Sequence, residues 1–139
     1  MRPHATLTLA LMVALTGHMT LAQDAETPLD AAGFEARTTG KTITYSAGGL
    51  PYGIEQYLPG RKVLWAFTQS ECKTGTWAQE GDEICFDYQD ENGKQCWHFF
   101  DTKDGLKAQF MGDGGASEPL ISLQESETPL NCPGPDIGV

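Results

Sequence analysis

The strongest pattern in the chain is an alternation of period two between residues 82 and 101. Residues 82–89 set Ile84, Phe86 and Tyr88 against Glu83, Cys85 and Asp87. Residues 94–101 set Trp97 and Phe99 against Cys96, His98 and Phe100. Successive side chains on a strand point to opposite faces, so each run predicts a strand with one face of large rings. Asp90-Glu91-Asn92-Gly93 between them reads as a hairpin turn, with Gly93 suited to positive φ. A two-residue or a four-residue loop puts Ile84, Phe86, Tyr88, Trp97 and Phe99 on one face. That face is expected to be core, because cross-strand aromatic pairs stabilise sheets.

Weaker alternation and turn residues predict the other elements. Strands are expected at 41–46, 52–58, 61–69, 75–79, near 106–111 and about 120–124. The third of the eight carries Val63, Trp65 and Phe67 on one face. Turns are expected at 47–51, Pro59-Gly60, 70–74, Glu80-Gly81, Asp104-Gly105 and 112–118. One short helix is expected over 29–39, with Asp30 as cap, Phe34 towards the core and Gly40 at the stop, although Gly33 weakens it. The sum is a mainly β fold: an antiparallel meander of about eight short strands after one N-terminal helix. Such a sheet protects its edges best as a small barrel or a strongly bent sandwich.

The first residues change the picture of where the protein works. Met1-Arg2-Pro3-His4 is followed by an uncharged stretch from Ala5 to Leu15 and by Thr20-Leu21-Ala22, which has small side chains at the first and third positions before a cut. This is the layout of a cleaved secretory signal over residues 1–22. It is shorter than the ~20 apolar residues of a spanning helix. Residues 23–28 are then a polar lead-in, and 29–139 form a single domain. Cleavage removes one of nine basic residues, leaving eight against nineteen acidic and a net charge of −11. Nucleic acid needs phosphate neutralisation by Lys and Arg, so such a chain repels it. No membrane anchor is expected after cleavage. The predicted location is periplasmic or secreted.

Cys72, Cys85, Cys96 and Cys132 all follow the signal. An even count in an exported chain predicts two disulfides. The four-residue loop makes Cys85 and Cys96 diagonal neighbours on one face, which favours that pair and leaves Cys72 with Cys132. Cys72 with Cys85 is the competing arrangement. No C-x-x-C pair is present, and neither acidic loop, at Asp101-x-x-Asp104 or Asp90-Glu91-Asn92, has the ligand set of an EF-hand. No metal or cofactor is expected.

The run Tyr52-Gly-Ile-Glu-Gln-Tyr-Leu-Pro-Gly-Arg61, with Val63-Leu-Trp65, Cys72-x-x-Gly75-x-Trp77, Gly81-x-x-Ile84-Cys85-Phe86-x-Tyr88, Cys96-Trp97 and Cys132-Pro-Gly-Pro135, resembles a family of small exported Gram-negative bacterial proteins of unknown function. The resemblance covers about residues 29–139. It implies export and a β-rich fold and brings no activity. Gly75-x-Trp77 also resembles, in shape alone, an element of lipocalin and avidin barrels. Those barrels carry it near the first strand; here it falls in the fourth.

Candidate chemistry is sparse. His98 is the only histidine after the signal and is placed on the non-core face near Asp87 or Cys85. A His98–Asp87 pair is the material of a general base, yet no G-x-S-x-G elbow accompanies it. Trp65, Trp77, Phe86, Tyr88, Trp97 and Phe99 are the candidate ligand-binding residues. A barrel of about eight strands is either filled by side chains or holds one small ligand, and strands this short favour filling. Arg61 and Lys62 read as turn charges. No catalytic residue is assigned. The sequence therefore favours a non-enzymatic binding or interaction module, with an unknown protein or small molecule as partner. A carrier of a small apolar ligand in an aromatic-lined barrel comes next, and a hydrolase using His98 and Asp87 last.

Overall fold

The computed structural model describes residues 26–67 and 72–132. The expected signal at 1–22 lies outside them, as does the Pro133-Gly134-Pro135 tail. A helix, α1 (Ala31–Thr38), precedes eight strands: β1 (Thr42–Ala47), β2 (Leu50–Leu58), β3 (Lys62–Ala66), β4 (Lys73–Glu80), β5 (Glu83–Asp87), β6 (Gln95–Thr102), β7 (Gly105–Phe110) and β8 (Leu120–Ser126). Each strand pairs antiparallel with the next, and β8 returns to β1, so the sheet closes into a barrel. Closure gives every described strand a partner on both sides, although β7 and β8 pair only at Lys107–Ile121 and Ala108–Leu120. Among the described residues, no helix is long and apolar enough to cross a membrane.

Helix α1 starts where the sequence places its cap. Asp30 accepts a hydrogen bond from the Gly33 amide at 2.8 Å, and Gly40 ends the turn at φ 85°. The helix stops one end of the barrel. Phe34 is fully buried, with its ring 4.5 Å from Phe99, 4.9 Å from Trp77 and 5.6 Å from Tyr57. The Leu29 amide donates to the Phe99 carbonyl at 2.7 Å, and the Ala31 amide to the Gln79 side chain at 2.7 Å. On the outer side, Arg37 grips Glu125 through both terminal nitrogens, at 2.8 and 2.6 Å, and Asp101 through Nε at 3.0 Å. Ile43, Val63, Ile84 and Leu106 complete the packed core.

Two hairpins differ from expectation. The predicted turn at 47–51 is tighter, because Gly48 and Gly49 both take positive φ (55° and 81°) and make a two-residue reversal. Leu50 and Pro51 therefore belong to β2, and Leu50 pairs with Ala47. The β5–β6 connection is longer than a four-residue loop. Gln89 as well as Gly93 is left-handed (φ 54° and 67°), and the ladder closes with Phe86 opposite Gln95. Cys85 then sits directly opposite Cys96, not diagonal to it.

Both favoured disulfides are present. Cys85–Cys96 joins β5 to β6, and Cys72–Cys132 ties the chain before β4 to the tail across 60 residues. A cross-link over that span removes about 4 kcal/mol of chain entropy from the unfolded state. Two disulfides fit an oxidising, extracytoplasmic location.

Candidate functional site

The end of the barrel opposite α1 is open, and its geometry follows from the phase of β2. Apolar residues of this strand suggest that Ile54 and Leu58 point inward, but the register does the reverse. Gly53, Glu55 and Tyr57 are buried, while Ile54, Gln56 and Leu58 are only half-buried. Two contacts hold that phase. The Tyr57 hydroxyl meets that of Tyr45 on β1 at 2.7 Å, and Glu55 stands opposite Ile43 on one side and Trp65 on the other. An acidic side chain is thereby carried into the barrel between two apolar neighbours.

Glycines make room for the rings around it. A Cβ on Gly53 would lie 2.3 Å from the Trp65 ring, so the indole lies across a bare stretch of β2. A Cβ on Gly75 would lie 2.6 Å from the Tyr88 ring. That ring reaches across β4, and its hydroxyl donates to the Glu55 carboxyl, 2.9 Å from Oε2 and 3.1 Å from Oε1. Glycine is required at both places for close approach, not for backbone freedom.

Together these side chains enclose a cavity of about 100 Å³. Its walls include Tyr45, Glu55, Trp65, Phe86, Tyr88 and Trp97. The barrel is thus filled at the helix end and hollow at the other. Tyr52, Trp65 and Phe67 pack against one another at the mouth, with ring centroids 5.5 to 6.0 Å apart. Lys73 and Asp90 also line the cavity and pair with each other at 2.6 Å. A shallower hollow of about 270 Å³ adjoins it, sharing Tyr52, Gln95, Trp97 and Leu120 and carrying Glu118.

Electrostatics single out Glu55. It is 3% exposed. Among the described residues, its hydrogen-bond partner is Tyr88 and no Lys, Arg or His pairs with it. Burial pushes its carboxyl up to about 8, although the Tyr88 hydrogen bond pulls the other way. Burial also drives the phenols of Tyr45, Tyr57 and Tyr88 upward, so all three stay neutral. Near neutral pH the cavity therefore holds a mostly protonated acid among uncharged hydroxyls and aromatic rings.

Of the six candidate ligand-binding aromatics, Trp65, Phe86, Tyr88, Trp97 and Phe99 line the cavity. Trp77 does not. It lies at the closed end, with Phe34 on its edge and the Arg61 guanidinium 4.8 Å over its ring. Arg61 also approaches Glu35 at 3.6 Å, so it is a packing residue as well as a turn charge. His98 approaches Asp82 at 3.3 Å instead of Asp87, because β5 starts at Glu83 and its turn brings Asp82 round to β6. Asp87 accepts from the Gln89 amide and serves the hairpin. His98, Asp82 and Glu83 each bring one ligand atom within 4.8 Å of the others. Three acids of the two acidic loops form ion pairs: Asp90 with Lys73, Asp101 with Arg37 and Asp104 with Lys103.

No family model, curated protein or solved structure matches the chain.

Sequence reasoning missed Glu55, Tyr45 and Tyr52. The signal for Glu55 is present: Gly53-x-Glu55-x-Tyr57 holds a glycine, an acid and a ring in one strand phase. Strand patterning scores an acid as outward, so the run is legible only once the ladder fixes which phase faces in.

Proposed function

We propose that this protein is a non-enzymatic binder of small molecules in an extracytoplasmic space, periplasmic or secreted. Its site is the cup at the open end of the barrel. The observation that carries this is the cavity itself: about 100 Å³ of open space in an otherwise packed core, ring-walled, with a single buried carboxyl aimed into it. Ligand sites are typically concave, largely apolar and supplied with few polar groups, and perturbed acids concentrate in them. Apolar cavities of about 150 Å³ accept benzene; at about 100 Å³ and open at its mouth, this one suits a compact head or the leading edge of a ring, with the rest of the ligand lying in the adjoining hollow. A concave site favours a small ligand over a protein partner, whose interfaces are broad.

The test is titration with an uncharged apolar fluorophore such as N-phenyl-1-naphthylamine. Saturable binding of one dye per chain is expected, with quenching of tryptophan emission from Trp65 and Trp97. Ala108 lines the cup and is buried. Replacing it by leucine fills the space and is expected to weaken the dye at least tenfold. Equal affinity for the Ala108→Leu protein would place the dye elsewhere and remove the reading.

A further inference from the structure

Glu55 is not explained by the barrel's own needs. A glutamine there would still accept from Tyr88, and an apolar residue would match Ile43 and Trp65 beside it. A buried ionisable group without a basic partner costs stability. What Glu55 offers, and a neutral residue does not, is a negative charge for a partner that arrives from outside. The surroundings suit a cation. The rings of Trp65, Tyr88 and Trp97 line the cavity, and aromatic faces attract cations, most strongly when desolvated. The adjoining hollow carries a second acid, Glu118. Lys73 is the one cationic side chain among the described lining residues, and Asp90 neutralises it at 2.6 Å.

We propose that the cup takes the head group of an organic ammonium ion, with Glu55 as its counter-ion and the indole and phenol faces as its wall. This rests on the cup being the ligand site. The volume, about 100 Å³, fits a methylated ammonium and leaves its substituent in the adjoining hollow. The exchange balances in protons: the cation enters, and protonated Glu55 releases one H⁺ to solvent. The groups facing Glu55 are Tyr45 on β1, Tyr57 on β2 and Tyr88 after β5, all uncharged, with the Lys73–Asp90 pair further out at the mouth. Proton and cation therefore compete at a single carboxyl. Burial holds that carboxyl near 8, so binding weakens about tenfold per pH unit below it as the ionised fraction falls.

The experiment is displacement of the bound naphthylamine dye by choline and by its uncharged isostere, 3,3-dimethylbutan-1-ol. At pH 9 choline is expected to displace the dye at least tenfold more effectively than the alcohol. That advantage shrinks as pH falls to 6, and at pH 7 binding of choline releases close to one proton. Glu55→Gln is expected to reduce the advantage to under twofold. Equal displacement by both compounds, no displacement by choline, or an advantage that survives Glu55→Gln overturns the cation assignment and leaves dye binding in the cup standing. A dye that Ala108→Leu does not weaken overturns the cup reading, and this inference with it.

Discussion

Phe34→Ala is expected to lower the unfolding free energy by about 3–5 kcal/mol, the cost of emptying a fully buried phenylalanine site. The upper half of that range applies because the ring is shared. Phe34 meets Phe99, Trp77, Tyr57 and Phe86, with centroids from 4.5 to 6.2 Å. These neighbours sit on four different strands of a closed barrel, and barrel walls cannot collapse inward to refill the space. A second consequence is functional. Tyr57, Phe86 and Phe99 also line the cup, so the hole left by Phe34 deepens it from below. Urea denaturation gives the stability change, and dye titration gives the change in the cup. A loss under 1 kcal/mol would mean that α1 merely rests on the barrel and does not close it.

That prediction was accessible from sequence because capping and amphipathic placement are local. Asp30, Phe34 and Gly40 fall within eleven residues; the cap and the stop act locally, and they fix the helix phase that turns Phe34 towards distant rings. Likewise the ring face of β5 and β6 needed only period two, and Ile84, Phe86 and Phe99 are all buried. The cup was not legible in the same way. Its acid depends on the register between β1, β2 and β3, which no residue of β2 encodes alone. Ile54 and Leu58 even favour the opposite face, and the pairing of Tyr45 with Tyr57 decides against them. The acid beside His98 was not legible for a related reason: the longer β5–β6 loop shifts the register, so the turn residue Asp82 and not the in-strand Asp87 lies next to it. The division of the interior was also hidden. Strand length suggested filling, but one large ring delivered by a helix fills only the end it enters.

Glu55→Gln is expected to make the protein markedly more tolerant of alkaline pH. Burial raises the native carboxyl from 4.5 to about 8. Between those values the native state holds a proton that the unfolded chain has released, so stability falls as pH rises, by roughly 1.4 kcal/mol per unit. The contribution is complete below pH 4.5, declines through the window and is lost once the native group ionises above pH 8. Glutamine keeps an acceptor for Tyr88 and removes the titration. The stability difference between variant and parent is therefore expected to grow in the variant's favour from pH 5 to pH 9, by an amount on the order of 4 kcal/mol. Urea midpoints at four pH values check it, because every other titrating group cancels in the difference. A pH-independent difference would show that water reaches Glu55 and that its acidity is ordinary. At pH 9 the ionised carboxylate strains the empty barrel, and a cation lodged against the Trp65 and Tyr88 faces relieves that strain, so choline should raise the parent's midpoint there and leave that of the Glu55→Gln variant where it was.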